Sequence, residues 1–197
     1  SGWEQPFSVR DMYDWTTATE RLAQQRPWWE PGTASGYHAN NQGHLVGEVI
    51  RRITNKTFKK FVADEIAGPL GADYQIGARE SDWSRIAPVV PPPPLPSDFG
   101  SLDPASPLVR TFTGPVASAA EANTPAWRHA DMGALNGHTN ARGLNDVLRT
   151  LTLGGSGPLK LSPSTTDQVF RKQAEGVDMV LMAPLTFGIG YALTPTE

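Results

Sequence analysis

The chain has 197 residues, a formal net charge of -3, 39% hydrophobic residues and no cysteine. That length is enough for one domain with a real core, and the charge balance gives no basis for a nucleic-acid or anionic-membrane partner. Without cysteine, thiol catalysis, disulfides and thiolate zinc sites are excluded. The 18 prolines and 19 glycines indicate long connections within a globular protein. No apolar window approaches the length of a membrane span, and no basic-then-apolar leader opens the sequence. These readings give a cytoplasmic expectation, for a chain whose start looks truncated. His38, His44, His129 and His138 form no HExxH pair, so a metal site is not expected; no organic cofactor is implied either.

Ser8 followed by Asp11 predicts a short capped helix, and Thr17 followed by Glu20 predicts the cap of a second. The second should run to about Gln25, stop at Pro27 and turn Leu22 and Ala23 inward. The strongest helix spans Asn41 to Thr54, with Leu45, Val46, Val49, Ile50 and Ile53 as one apolar stripe. Arg51 and Arg52 suit its last turn, and Asn55 suits a left-handed terminator. Thr57 should cap the next helix, with Phe58, Phe61, Val62 and Ile66 on its inner face and Gly68-Pro69 as its end. Leu70 to Ile76 reads as a turn and a short extended piece.

From Ala87 to Leu108 the chain is dominated by proline, with Pro91 to Pro94 consecutive. Such a run favours polyproline II or irregular loop over a sheet strand, here a surface connection within the domain rather than an SH3-type ligand. Asn136-Gly137-His138 predicts a turn, with Thr139 or Asn140 capping a helix that carries Leu144, Val147, Leu148 and Leu151 and closes at Gly154-Gly155. Ser162-Pro163 opens another helix, carrying Val169 and Phe170. Phe187, Ile189, Tyr191 and Leu193 alternate as in a half-buried strand. A strand needs partners, and the expectation is that they lie outside these residues.

Chemistry concentrates in Pro27 to Gly43, PWWEPGTASGYHANNQG, where Tyr37 ends an irregular segment just before the strongest helix. A loop exposes such a side chain and the helix fixes it; the alternative is an aromatic plug with a bonded hydroxyl. Trp28 and Trp29 either wall an apolar pocket or pack beneath the tyrosine loop. Trp83 and Trp127 read as core or cleft wall, and Glu121 and Asp131 as solvated.

The chain resembles the serine β-lactamase-related family, and within it the carboxylesterases of class C β-lactamase fold. Ser1-Gly2 resembles the end of the family's HTSG phrase. Pro31-Gly32, Gly36-Tyr37, Asn41-Gln42-Gly43 and the helix to Arg52-Ile53-Thr54 follow its PG…Y…N.GY..LG..I…TG run. Phe61-Val62 with Gly68-Pro69-Leu70-Gly71 is similar to its PLGM closing phrase, and Asn136 through Leu144 to the esterase-type NGH.TAR.LA. Phe187-Gly188-Ile189-Gly190-Tyr191 is similar to its GLGY strand. The resemblance implies an α+β, β-lactamase/transpeptidase-like fold. Residues 1–197 would form one incomplete domain, mainly its helical part, with a C-terminal strand of the antiparallel sheet.

In that family a serine of an S-x-x-K motif attacks the substrate carbonyl, and the motif's lysine and a tyrosine pass its proton on. A serine hydroxyl needs such a base. A tyrosine hydroxyl titrates near pH ~10 in water, so it serves near neutrality only beside a cation such as that lysine. The resemblance therefore implies Tyr37 as catalytic and the segment of Asn136 and His138 as facing the cleft; with Trp28 and Trp29 as a candidate acyl wall, these are the candidate substrate-binding residues. No S-x-x-K occurs in the chain, and neither K-T-G nor H-x-G follows its GIGY phrase. Where β-lactamases carry Y-x-N, this chain reads Tyr37-His38-Ala39, which favours an ester over a β-lactam. The expectation is a carboxylesterase for short or medium acyl esters, working through an acyl-enzyme and inactive as these residues alone. Its partner would be a small ester or amide substrate; the oligomeric state is not legible. The alternatives are acyl transfer on the same machinery, or a non-catalytic binding module built on the prolines and tryptophans.

Overall fold

The computed structural model describes residues 2–93, 99–116, 118–152 and 157–194. Local caps set most helix starts. Ser8 and Asp11 form a capping box on α1 (Val9–Tyr13), the Ser8 amide donating to Asp11 Oδ2 at 2.7 Å. α2 (Trp15–Gln24) begins earlier than Thr17 would place it, because Asp14 adopts an extended conformation after α1 and its Oδ1 accepts from the Thr17 amide. The register moves with the cap: Ala18 is buried, Leu22 is half-buried, and Ala23 faces solvent.

α3 (Gln42–Thr54) closes at Asn55, whose φ of 56° is the expected left-handed end. Its orientation reverses the expectation. Gly43, His44 and Gly47 face the core, while Leu45, Val46, Val49 and Ile53 are exposed, Ile53 by 78%. Close approach decides this. A Cβ at Gly43 would lie 2.4 Å from the Ala134 amide nitrogen, and one at Gly47 would lie 2.5 Å from the Trp15 ring. Only glycine lets the helix pack its axis this near a neighbouring backbone. The core beneath it joins Trp3, Phe7, Met12, Ala18, Trp127, Ala130 and Met132. Trp3 stacks on Phe7 with centroids 4.3 Å apart and meets the His44 ring edge-on at 5.4 Å.

Glu48 ties α2 to α3. It accepts from Trp15 Nε1 at 2.9 Å, Arg51 Nε at 2.7 Å and Arg52 Nε at 2.8 Å, and the Arg51 bonds above all hold its carboxyl well below the ordinary carboxylate range. A depressed folded value contributes stability above the unfolded value of about 4.3. That contribution is lost as pH falls through the folded one. Because Arg51 and Arg52 are 42% and 70% exposed, solvent screens much of the pairing. Glu48→Gln is therefore expected to cost only about 1 kcal/mol near neutrality and to flatten the stability loss below pH ~4, as read by urea unfolding across pH.

Thr57 caps α4 (Phe58–Phe61), helped by Asp131, whose carboxylate accepts the Lys59 amide at 3.0 Å. Asp131 is thus engaged rather than solvated, and burial pushes its carboxyl up. Glu121 is engaged too, accepting from the Tyr13 hydroxyl at 3.1 Å. The helix does not end at Gly68-Pro69. It widens into a π-helical turn over Val62–Ala67 and continues as α5 (Gly68–Leu70) to Gly71, φ 61°. Pro69 follows directly on that wide turn, where the Gly68 amide already bonds five residues back to Ala63 O and the regular four-residue ladder is interrupted.

β1 (Tyr74–Ile76) follows the extended piece read from sequence. Ala87 to Leu108 contains no strand among its described residues, and Asn123 brackets Val89 with two bonds, accepting its amide at 2.8 Å and donating to its carbonyl at 2.9 Å. Pro107 already belongs to α6 (Pro107–Phe112), capped by Ser106, and Thr124 caps α7 (Pro125–His129).

The expected Asn136–His138 turn is largely a strand. β2 (Gly137–Thr139) pairs antiparallel with β1, Ile76 opposite Gly137 and Tyr74 opposite Thr139. The reversal sits just upstream, where the Asn136 amide donates to Met132 O. Asn140 caps α8 (Ala141–Leu148) and Ser162 caps α9 (Pro163–Val169); Gly154-Gly155 lies outside the described residues.

The C-terminal alternation does not make one strand. β3 (Ala174–Val177), β4 (Pro184–Phe187) and β5 (Ala192–Leu193) form an antiparallel sheet in that order. Gly190, at φ 77°, turns the chain between β4 and β5, and Ile189 is 53% exposed in that turn. The strand's partners lie within these residues after all. Ala-Glu-Gly-Val gave no sign of pairing because it is short and lacks alternation.

Candidate active site

Tyr37 is reached through a loop that its own residues shape. Trp29 Nε1 donates to Ala34 O at 3.0 Å, closing the Pro31-Gly32 turn, where Gly32 has φ 85°. The chain then straightens against the β3–β4 connection. The Met179 amide donates to Ser35 O at 2.9 Å, and the Tyr37 amide donates to Asp178 Oδ1 at 3.1 Å. His38 Nδ1 donates to Gly36 O at 2.8 Å, and burial pushes the imidazole below its ordinary value. Beyond it the Asn41 side-chain Nδ2 donates to Gly2 O at 3.0 Å, fixing the entry to α3.

The Tyr37 side chain is 43% exposed. It does not plug the core. Trp28 is half-buried with the Arg110 guanidinium stacked 3.9 Å over its ring, so one face is covered by a cation. Trp29 is half-buried in the loop it closes. Both indoles therefore flank the segment leading to Tyr37.

Asn136 and His138 come together elsewhere. Asn136 is buried, its side-chain amide donating to Trp127 O at 2.9 Å and Ala130 O at 2.7 Å, its oxygen accepting the Met132 amide at 3.2 Å. These bonds fix the end of α7 against β2. His138 Nδ1 donates to Asn136 O at 2.8 Å, and burial pushes its imidazole down. Both line a cavity of about 400 Å³ with Gln75, Asp82, Arg85 and Trp127. A second cavity, of about 570 Å³, lies against α4, α5 and β1. Neither is lined by Tyr37, Trp28 or Trp29.

Among the described residues no group of three or more histidine, aspartate or glutamate side chains is placed to hold a metal, and no helix is long and apolar enough to cross a membrane. Sequence reasoning missed Asp178 and Arg110, since each acts on a residue far away in the chain.

The family model described as Beta-lactamase matches residues 1–197. The chain belongs to the beta-lactamase family. Solved beta-lactamase-like structures agree with the fold. The chain is similar to a family VIII carboxylesterase, with 33% identity and a TM-score of 0.88 over 100% of this chain and 52% of that one. It is similar to EstA from Arthrobacter nitroguajacolicus Rue61a, with 29% identity and a TM-score of 0.81 over 95% of this chain and 51% of that one. A penicillin-binding protein homolog from Caulobacter crescentus is similar at 28% identity and a TM-score of 0.79, over 96% and 50%. The chain thus spans about half the length of these relatives. A search of curated protein sequences finds no match. The fold is the β-lactamase/transpeptidase-like one expected, helices and small antiparallel sheets together.

Proposed function

We propose that the complete protein is a serine hydrolase of the beta-lactamase family acting on short or medium acyl esters, with Tyr37 in the proton relay. The observation that carries this reading is the exposed Tyr37 phenol on a backbone segment held from both sides, in a chain similar to carboxylesterases. The nucleophile and its lysine would come from a region outside these residues, because no S-x-x-K occurs in them. Tyr37 would relay the serine proton toward the leaving alkoxide, and water would then release the acyl group. Trp28 and Trp29 would border the acyl side of the cleft. His138 and Asn136 line a cavity that Tyr37 does not, so this reading gives them no contact with the substrate. Ala39, where Y-x-N enzymes carry asparagine, favours an ester over a β-lactam.

The test is a chain that also carries the S-x-x-K and third-motif regions. It should hydrolyse p-nitrophenyl acetate and butyrate with a burst of acyl-enzyme, and should turn over nitrocefin at least ~100-fold more slowly. The 197 residues alone should give no turnover. Release of acyl groups only with an alcohol or amine acceptor present would establish transfer instead. Binding of proline-rich peptides without ester turnover would point to a binding module.

A further inference from the structure

The connection between β3 and β4 is built around one carboxylate. Asp178 is fully buried, and its Oδ1 accepts three backbone amides: Val180 at 2.9 Å, Leu181 at 2.9 Å and Tyr37 at 3.1 Å. Its own amide donates to Ala183 O, and its carbonyl accepts from Met182, which sits at φ 52°. Two of the three side-chain bonds are local, the kind any turn aspartate makes. The third crosses 141 residues of sequence to the peptide of the tyrosine. The second oxygen, Oδ2, is buried without a hydrogen-bond partner.

An asparagine oxygen could accept the same amides, but its NH2 would then bury two unpaired donors where Oδ2 sits. A carboxylate acceptor holds such amides more strongly than a neutral one, and the Tyr37 amide is one of the three it holds, at 3.1 Å the longest of them.

We propose that Asp178 is a positioning residue for Tyr37, holding the tyrosine's backbone so that its phenol stays in line with the nucleophile. This rests on the catalytic reading of Tyr37 given above. The neighbouring bond from the Met179 amide to Ser35 O at 2.9 Å uses no Asp178 side-chain atom. Removing the carboxylate therefore frees the Tyr37 peptide together with the Val180 and Leu181 amides, while the Met179–Ser35 bond keeps both its donor and its acceptor. A small displacement of a reacting group is enough to lower turnover by ~10²-fold without a matching change in binding.

The experiment is a double-mutant cycle on the complete enzyme with p-nitrophenyl butyrate, using Asp178→Ala, Asp178→Asn, Tyr37→Phe and their combinations. Asp178→Ala should lower kcat by roughly 10- to 100-fold with KM within about 2-fold. Asp178→Asn, which keeps the acceptor, should lose only about 3- to 5-fold. In the Tyr37→Phe background neither change should cost more than about 2-fold, because the residue through which Asp178 acts no longer takes part. Equal losses in both backgrounds would overturn the proposal, as would an unchanged kcat for Asp178→Ala. Should Asp178→Ala fail to fold, Asp178→Asn carries the same cycle: its loss must vanish with Tyr37→Phe, or the proposal falls. Full activity of Tyr37→Phe alone would instead remove the catalytic reading of the tyrosine, and this positioning role with it.

Discussion

Replacing Tyr37 with phenylalanine in the complete enzyme is expected to lower kcat for p-nitrophenyl esters by about 10²- to 10⁴-fold, the range for loss of a general acid–base group. KM should stay within about 3-fold, because the ring and its contacts survive and only a transition-state interaction is lost. Among the described residues the Tyr37 hydroxyl holds no hydrogen bond, and the side chain is 43% exposed. The thermal midpoint should therefore not move, since such surface changes stay within about 0.5 kcal/mol. This separation gives the result its meaning. An inactive but equally stable variant places the proton path through this phenol. A variant with unchanged kcat places it elsewhere and removes the central residue of the functional reading.

What could be read from sequence was what depends on neighbours in sequence. Ser8, Thr57, Asn140 and Ser162 each cap the helix they announced, and Asn55 terminates α3 as expected, because a cap is settled within about one helical turn. The family phrases placed Tyr37 correctly ahead of α3. The facing of α3 was not legible. Its apolar stripe outweighs Gly43 and Gly47 in any periodicity, yet the two glycines decide which side approaches Ala134 and Trp15. The pairing of β3 with β4 was hidden for a related reason: a four-residue strand with a glycine carries no alternation to read. Asp178 was invisible because its meaning is a bond to residue 37. Asn136 belonged to a phrase tied to substrate, and the fold shows its amide occupied by the carbonyls of Trp127 and Ala130.

Trp3→Ala is expected to give the largest loss of stability, about 3–5 kcal/mol, the range for truncating a large aromatic in a packed core. Trp3 is only 1% exposed, stacked on Phe7 and set edge-on to His44. The measurement is urea unfolding of the complete protein, where the midpoint should fall at unchanged slope. Trp3→Phe, which keeps an aromatic face for Phe7, should lose less than half as much. A second signature follows from His44. Its Nε2 donates to Met12 O at 2.9 Å, its Nδ1 is buried without a partner, and burial pushes the imidazole below its ordinary value. The folded state therefore holds His44 neutral, while the unfolded chain takes up its proton as pH falls through about 6.5. Stability should decline below that pH, because there the unfolded state binds more protons. His38 and His138 are shifted in the same direction by burial and add to the slope. A cavity at Trp3 would admit water beside His44 and relieve its desolvation, leaving the other two untouched. Trp3→Ala should thus be less stable at every pH, yet lose less further stability between pH ~6.5 and ~5 than the wild type does. An unchanged slope would mean that other groups keep His44 neutral.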